Sequence, residues 1–527
     1  MKKKFYITTP IYYVNAKPHI GSAYPTIMAD ILARYHRLNG DDVFFLTGTD
    51  ENSQKNVQAA EAEGENNVMA YLDRMSAAWA SAWDTLRITN DGFIRTTELR
   101  HQKGVVEFFH RVEQSGDIYK GQYEGLYCIG CEAFITEKEL VDGLCPDHKK
   151  PPVALKEENY FFKASRYKDT ILKHIEDNPG FIEPQTRRNE VVSYINAAFG
   201  DISISRGWKT NDNVAGVTVG IPVPGDPSQA LYVWFDALIN YLTGIGFGED
   251  EDKFQKFWPV DVHIVGKEIT KFHCALWPAM LLSAGLPLPQ KVYAHGWLTV
   301  DGQKMSKSLG NIVDPITVVG EFGLDTLRYF LLREFTWGGD GDFSLARLKE
   351  RYQSDLANGV GNLSRRILTL GQKALKQGKL TSADRHPCPD AVCGLLCVGI
   401  RESVGKVWEA YDAAFTAYRP DLATAEVWKL IQYLDEQIER TKPWELKEEQ
   451  SPEQWSAALY PFLEGLRQLV WMLRPIMPDT SEELFQNLGQ WTWAKDRTFQ
   501  EGRPWGLLSM KGLDINRGKV LFPRIEK

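Results

Sequence analysis

The sequence predicts an α/β protein built on a doubly wound parallel sheet, with a cysteine-bearing domain inserted into it and a helical bundle after it. Three observations carry the prediction. Short apolar runs bounded by turn residues alternate with helical periodicities over residues 1–115 and again over 226–300, the pattern of buried parallel strands with crossover helices. Between them, over 116–225, the alternation stops, and cysteines, aromatic strand-like pieces and a proline run take its place. Beyond Gly341 the periodicity is almost wholly helical, broken by Pro and Gly, as in a bundle.

Residues 5–9 read as a short buried strand, which runs through a Pro/Gly-containing turn into a helix opening at His19, Ile20, Gly21 and Ser22. Ile27, Ile31, Tyr35 and Leu38 then recur at helical spacing with polar residues between them, predicting an amphipathic helix. The apolar run 42–48 is a second buried strand. It ends at Thr49, Asp50 and Glu51, at the carboxyl edge of the sheet, where open α/β sheets bind ligands. Helical patterns follow over about 53–87 and 98–114. In the interrupted stretch, residues 160–162 are strand-like and 221–227 are proline-rich. Residues 232–241 read as a strand passing into a helix, 262–266 as a buried strand, 267–283 as a helix and 291–299 as a further strand. Amphipathic helices cover about 345–376, 389–417, 424–440 and 454–474.

The chain's 527 residues give room for roughly two to four domains. Hydrophobic content of 43% and charged content of 25% are those of an ordinary globular protein. No segment approaches the roughly 18–20 uncharged apolar residues of a membrane span, and the N-terminus has neither an apolar signal core nor an Arg/Ser-rich presequence, so a cytoplasmic location is expected. A net charge of −8 argues against non-specific coating of nucleic acid but leaves room for a local surface that fits one folded RNA.

The seven cysteines are an odd number, which does not read as a disulfide framework. Cys128, Cys131, Cys145 and His148 form C-x2-C-x13-C-x2-H, a tetrahedral Cys3His pattern for one structural Zn2+. Four protein ligands close the shell and leave no position for a substrate. Cys393 and Cys397 share a helix face without further ligands and read as packing residues.

The most specific stretch is 301–311, Asp-Gly-Gln-Lys-Met-Ser-Lys-Ser-Leu-Gly-Asn. Lys304 and Lys307 stand three apart with Ser306 between them, on a loop bracketed by Gly302 and Gly310. Mobile ammonium groups on such a loop suit a triphosphate that gains charge and leaves. Upstream, the strand–turn–helix at His19 offers free helix N–H groups to phosphate, a glycine at 21 for close backbone approach and an imidazole that can donate. Either motif alone is weak. The pair in this order resembles the class I aminoacyl-tRNA synthetases, and the stretches 9–24, 46–55, 128–148, 232–241, 264–277, 295–314 and the Pro443-Trp444 neighbourhood narrow the resemblance to the methionyl-tRNA synthetase family over essentially the whole chain.

The resemblance implies a Rossmann-type catalytic domain in two halves (1–115 and 226–300), an inserted connective domain with a zinc knuckle (116–225), a lysine-loop and stem-contact region (301–350) and a helical anticodon-binding bundle (351–527). It implies that methionine is activated with ATP and Mg2+ and loaded on tRNA(Met). His19, Ser22, Lys304 and Lys307 would act in catalysis, and His19, Gly21, Ser22, Gly266, Glu268, Lys304, Ser306 and Lys307 would bind ATP. Methionine would be held by Ile11, Tyr13, Asp50, Trp234, Ala237, Leu238, Tyr241, Ile269, Phe272, His273 and Trp277. The chemistry is apt: a carboxylate suits the α-ammonium, and a thioether, lacking charge, is read by shape and polarizable aromatic contact. Asn362, Arg366 and Trp444 would read the anticodon by edge hydrogen bonds and stacking. A monomer is expected, since the sequence carries no appended oligonucleotide-binding barrel after Lys527 of the kind that dimerises some members.

Three departures stand out. Ser22 replaces the usual histidine of the first signature, Asn52 and Ser53 replace a common His-Gly, and Asp435 stands where Asn is frequent. Other class I synthetases are the nearest alternatives, but an insertion of about 110 residues is short for the editing domain of the leucine, isoleucine and valine enzymes. In the cysteine enzyme zinc binds substrate, whereas the pattern here is closed. A tRNA-binding paralogue of weak activity is the alternative of another class, supported by Ser22 and opposed by His19, Asp50, Lys304 and Lys307.

Overall fold

The computed structural model describes residues 2–128, 133–135, 137, 140–146, 149–208, 218–305, 310–380, 390–508 and 514–525. From the N-terminus, β1 (Lys4–Tyr13), α1 (Ile20–Leu38), β2 (Asp42–Asp50), α2 (Gln54–Ala62), α3 (Val68–Thr85), β3 (Gly92–Arg95) and α4 (Leu99–Gln114) alternate as the sequence pattern requires. The chain forms two compact units: a sheet unit of Lys4–Pro18 and Phe44–His295, and a helical unit of Met1–Lys3, His19–Val43 and Gly296–Lys527.

In the sheet unit, β4 (Ile182–Glu183), β5 (Val262–Gly266) and β6 (Val292–His295) complete a six-stranded sheet in the order β3-β2-β1-β5-β6-β4. The pairs β2–β3, β1–β5, β5–β6 and β6–β4 are all parallel. The order reverses between β1 and β5, so the carboxyl ends of these two strands flank the crevice where such sheets bind ligands. β1 is longer than the sequence pattern suggests: residues 5–9 are the buried part, and the strand runs on half-buried from Pro10 to Tyr13. α4 turns His101, Val105, Phe108, Phe109 and Val112 into the core, the i, i+4, i+7 stripe of a helix laid on a sheet.

Within 116–225, strands Ile118–Cys128, Ala133–Ile135, Val153–Phe162 and Ile202–Ser203 form a separate antiparallel sheet. Two expectations change nearby. The strand expected at 232 lies earlier, at Asp226–Leu231, and pairs antiparallel with Ser205–Gly207; α5 (Val233–Leu238) is helical from its first residue. The helix expected over 267–283 is three pieces: a 3-10 turn Lys267–Ile269, a π-turn Phe272–Leu276 and α6 (Trp277–Ser283).

In the helical unit, the strand expected over 291–299 reappears as a second piece, Leu298–Val300, paired with Gln303–Lys304 and Gly341–Phe343. The helices that matter are α7 (Leu324–Glu334), α8 (Asn362–Lys376), α9 (Asp390–Thr416), α10 (Pro420–Thr441) and α11 (Pro452–Leu473). The helix expected over 345–376 is broken by a ten-residue π stretch, Tyr352–Gly361. α11 is buried almost all round and receives α8, α9 and α10. α1 is not amphipathic as its spacing suggested: from Ile20 to Ala33 only Gly21 is other than buried. Its buried Asp30 meets Arg34 at 2.7 Å and the fully buried Arg328 of α7 at 2.7 Å. Arg328 also donates to the carbonyls of Ile476 and Pro475, at 2.9 and 3.0 Å, so the buried charge is both paired and hydrogen-bonded. At the other end of α1, Tyr35 stacks on Phe415 at 4.0 Å and donates to Asp412 at 2.9 Å. Among the described residues no helix is long and apolar enough to cross a membrane.

Candidate active site

The end of β1, the end of β2, α5 and the π-turn gather the amino-acid-site candidates in the sheet unit. Ile11, Trp234, Leu238, Tyr241, Ile269, Phe272 and Trp277 pack on one hydrophobic core. Trp234 and Phe272, both half-buried, stack at 3.8 Å with their planes 7° apart. Behind them the Tyr241 hydroxyl lies 2.8 Å from His273 Nε2, and His273 Nδ1 lies 3.0 Å from the Ile269 carbonyl. A carbonyl only accepts, so Nδ1 carries the proton and Nε2 accepts from Tyr241. Burial pushes the His273 pKa down to about 4, so the ring is neutral at neutral pH. Burial, with Tyr12 and Asp50 nearby, holds the Tyr241 phenol well above its usual range. The result is an apolar, uncharged aromatic wall close to one carboxylate. Trp277, fully buried against Phe108 and Trp258, backs this wall rather than facing outward.

Asp50 ends β2 and is 5% exposed, with its main-chain carbonyl fixed by Asn56 Nδ2 at 2.9 Å. The adjacent Glu51 is fully buried and held by Arg95 through two hydrogen bonds of 2.7 and 3.1 Å, so its charge is matched within the protein. Ala237 is buried on α5, and Lys55 places its ammonium 4.8 Å from the Tyr13 ring centroid. At the end of β5, a Cβ on Gly266 would stand 2.5 Å from a Glu268 carboxylate oxygen, so the site requires glycine as long as that acid is seated there.

In the helical unit, His19 is the N-cap of α1. Its Nδ1 accepts from Gly21 N at 3.1 Å, which leaves the proton on Nε2 as a donor. Burial lowers the imidazole pKa and favours this neutral form. Ser22 closes a reciprocal capping box: its hydroxyl accepts from His19 N at 3.0 Å and donates to His19 O at 2.8 Å. The donor that Ser22 was expected to offer a phosphate is therefore engaged in the cap. A Cβ on Gly21 would come within 3.0 Å of Met305 Cε, and Ile20 N donates to Val313 O at 2.9 Å. The helix signature and the segments flanking the lysine loop thus meet inside one unit. The Lys304 backbone ends the hairpin in Gln303–Lys304, while its side chain, Ser306 and Lys307 lie outside the described residues.

On the bundle, exposed Asn362 opens α8 and Arg366 follows one turn later. The Arg366 guanidinium lies over the Trp444 ring at 5.4 Å, and it donates to Asp435 and Glu439 at 2.7 Å each. The Asp435 departure thus supplies a charge that Arg366 meets. α10 ends at Lys442 in the left-handed conformation, and Pro443 then presents Trp444, 41% exposed. Of the zinc candidates, Cys128 and Cys145 are buried, and Lys149 N donates to Cys145 O at 2.8 Å. Cys131 and His148 lie outside the described residues, and among the described ones no group of three or more metal-binding side chains assembles.

Two features escape sequence reading. Arg206, 3% exposed, has its guanidinium 4.4 Å from the Tyr232 ring and 5.4 Å from that of Tyr127; an isolated Arg within a short strand gives no local sign of this. Asp236 accepts from Asn52 Nδ2 at 2.6 Å and lies 2.7 Å from His101 Nε2. Its position beside Trp234 is the one available signal.

A family profile described as tRNA synthetases class I (M) matches residues 5–151 and 148–368, and one described as anticodon-binding domain of tRNA ligase matches 400–505. The methionine–tRNA ligase of Thermotoga maritima is 44% identical over 530 residues, 99% of this chain and 80% of that protein. That of Streptomyces coelicolor is 41% identical, covering 100% of this chain and 97% of that protein. The structure of Mycobacterium tuberculosis methionyl-tRNA synthetase in complex with methionyl-adenylate matches with a TM-score of 0.90 and 37% identity, over 99% of this chain and 100% of that one. The apo form of the same protein matches with a TM-score of 0.85 and 35% identity, over 100% of this chain and 99% of that one.

Proposed function

The chain belongs to the class I methionyl-tRNA synthetases, and on that premise we propose a residue-by-residue course for its reaction. The protein joins methionine to tRNA(Met) by way of methionyl-adenylate, using ATP and releasing AMP and pyrophosphate. The methionine α-ammonium binds Asp50. Its thioether enters the wall of Ile11, Tyr13, Trp234, Ala237, Leu238, Tyr241, Ile269, Phe272 and His273, with Trp277 behind. Neutral His273, with Tyr241 donating to it, adds no charge to this part of the wall, which disfavours charged side chains of similar length. Gly266 and Glu268 take the adenosine, the acid accepting from the ribose hydroxyls.

No side-chain nucleophile is needed. The methionine carboxylate attacks the α-phosphorus in line and pyrophosphate leaves, so catalysis is positioning and charge stabilisation. His19 donates from Nε2 to phosphate, and Gly21 lets the nucleotide approach the backbone. Lys304, Ser306 and Lys307 hold the triphosphate, Lys307 chiefly in the transition state. Ser22 acts through its cap on His19. ATP enters as its magnesium complex, which lowers the charge on the phosphates. A ribose hydroxyl at the tRNA 3′ end then attacks the adenylate, while Asn362, Arg366 and Trp444 hold the anticodon.

The connective segment 116–225 would carry one Zn2+ on Cys128, Cys131, Cys145 and His148. The two described thiols are both buried, Cys128 at a strand end, which suits a closed structural shell. The domain division given above, a cytoplasmic location and a monomeric state complete the proposal. The observation that carries the amino-acid assignment is the uncharged aromatic wall near Asp50. ATP–pyrophosphate exchange tests it: methionine should support exchange, and exchange with leucine or cysteine but not methionine would overturn it.

A further inference from the structure

The Asp236 carboxylate is fully buried, yet it lies on no route taken by the reaction. It sits on α5, which carries Trp234 and Ala237. Its Oδ2 accepts from Asn52 Nδ2 at 2.6 Å, and its Oδ1 lies 2.7 Å from Nε2 of His101, itself fully buried on α4. A carboxylate only accepts, so Asn52 and His101 must both donate. Asn52 is two residues from Asp50 in the turn after β2, and its amide also reaches the Thr96 carbonyl at 3.3 Å. His101 is anchored on its far side by the Thr243 hydroxyl, 2.8 Å from Nδ1. Asp236 therefore joins three elements: the strand end bearing Asp50, helix α4 and the helix bearing the stacked Trp234.

We propose that Asp236, clamped by Asn52 and His101, is a positioning residue that fixes the separation between the ammonium-binding carboxylate and the aromatic wall, and so sets methionine affinity. This rests on the methionine-site reading above. The length of a bound amino acid is measured between those two parts, and each is carried on a separate segment. Packing alone would allow α5 to shift by fractions of an ångström. A buried charge with two directed donors does not, because movement leaves one of its lone pairs unmatched.

The test compares variants that keep a donor with variants that lose one. In ATP–pyrophosphate exchange with the full chain, Asn52→Leu and His101→Leu should raise KM for methionine roughly ten- to a hundredfold. Their kcat and KM for ATP should change by about twofold at most. Asn52→His and His101→Gln retain a donor and should stay within about threefold of the parent KM. Asn52→Leu is close to isosteric and cannot donate, so a purely space-filling role predicts parental behaviour for it. An unchanged KM for methionine in Asn52→Leu, or equal losses in the donor-keeping and donor-losing variants, would overturn the proposal. If Asn52→Leu does not fold, His101→Leu against His101→Gln at equal melting temperature decides in the same way. Asp50→Asn, assayed alongside, separates the two layers. An unchanged KM there refutes the methionine-site reading itself, whereas a raised KM there with a parental Asn52→Leu refutes the clamp alone.

Discussion

Trp444→Ala should weaken charging of tRNA(Met) and leave methionine activation nearly intact. The indole is 41% exposed, so its removal opens no internal cavity. Its one described ring contact with a cation is Arg366 at 5.4 Å, worth about 0.5–1 kcal/mol at an exposed position. Arg366 keeps both carboxylate partners, Asp435 and Glu439. The loss of stability is therefore small. A base stacked on the indole contributes about 1–3 kcal/mol, so KM for tRNA should rise roughly 5- to 150-fold. Aminoacylation kinetics, pyrophosphate exchange and a melting curve on the one variant make the test. Equal loss of the two activities together with a lower melting temperature would show that Trp444 packs rather than reads.

Four further outcomes are expected. Lys307→Ala should lower the single-turnover activation rate by a large factor with little change in methionine affinity, as a contact made chiefly in the transition state requires; an unchanged rate removes Lys307 from the mechanism. Protein purified without chelator should carry about one zinc per chain, lost in Cys131→Ser, and a metal-free, fully folded protein would reject the knuckle. The His273 pKa is lowered by burial to about 4 from 6.5, so the unfolded chain takes up the proton first and stability falls as pH drops between those values. The loss reaches about 3 kcal/mol below pH 4, and His273→Gln should flatten that part of a denaturation-against-pH curve. His263, lowered in the same direction by burial and by His273, keeps part of the slope. Light scattering should give a mass near 59.9 kDa, and twice that value rejects the monomer.

The parts of the fold that sequence reveals are those whose cause is local. β5 matches the apolar run 262–266 residue for residue, and the helix start at Ile20 follows from its cap. The family and the paired signatures were legible because Lys-Met-Ser-Lys-Ser and His-Ile-Gly are short, contiguous strings. What was missed depends on partners far away in the chain. Asp30 looks like the polar face of a surface helix until Arg328 is seen against it. Asp236 gives a sign of a site through its place beside Trp234 but none of its partner, His101, which lies 135 positions away and alone reads as an ordinary polar residue. The π segments at Phe272–Leu276 and Tyr352–Gly361 keep a helical apolar pattern, so periodicity cannot distinguish them from α-helix. Ser22 was read for its chemistry toward a ligand, whereas the capping geometry that engages its hydroxyl depends on the backbone of His19.

The Asp30–Arg328 pair also acts as an axial stop. Two helices joined only by apolar side chains can trade one set of contacts for a similar set by sliding a turn, about 5.4 Å. Arg328 removes that freedom for α1, because its Nε and Nη2 meet one carboxylate and two fixed carbonyls that a slide of one turn would leave behind. His19 lies eleven residues before Asp30 on the same rod, about 16 Å along the axis. Its height in the helical unit is thus indexed by a charge that never meets a substrate. Arg328→Met would leave the packing surface largely intact and remove the index, while Asp30 would keep Arg34, a partner on its own helix that sets no height against α7.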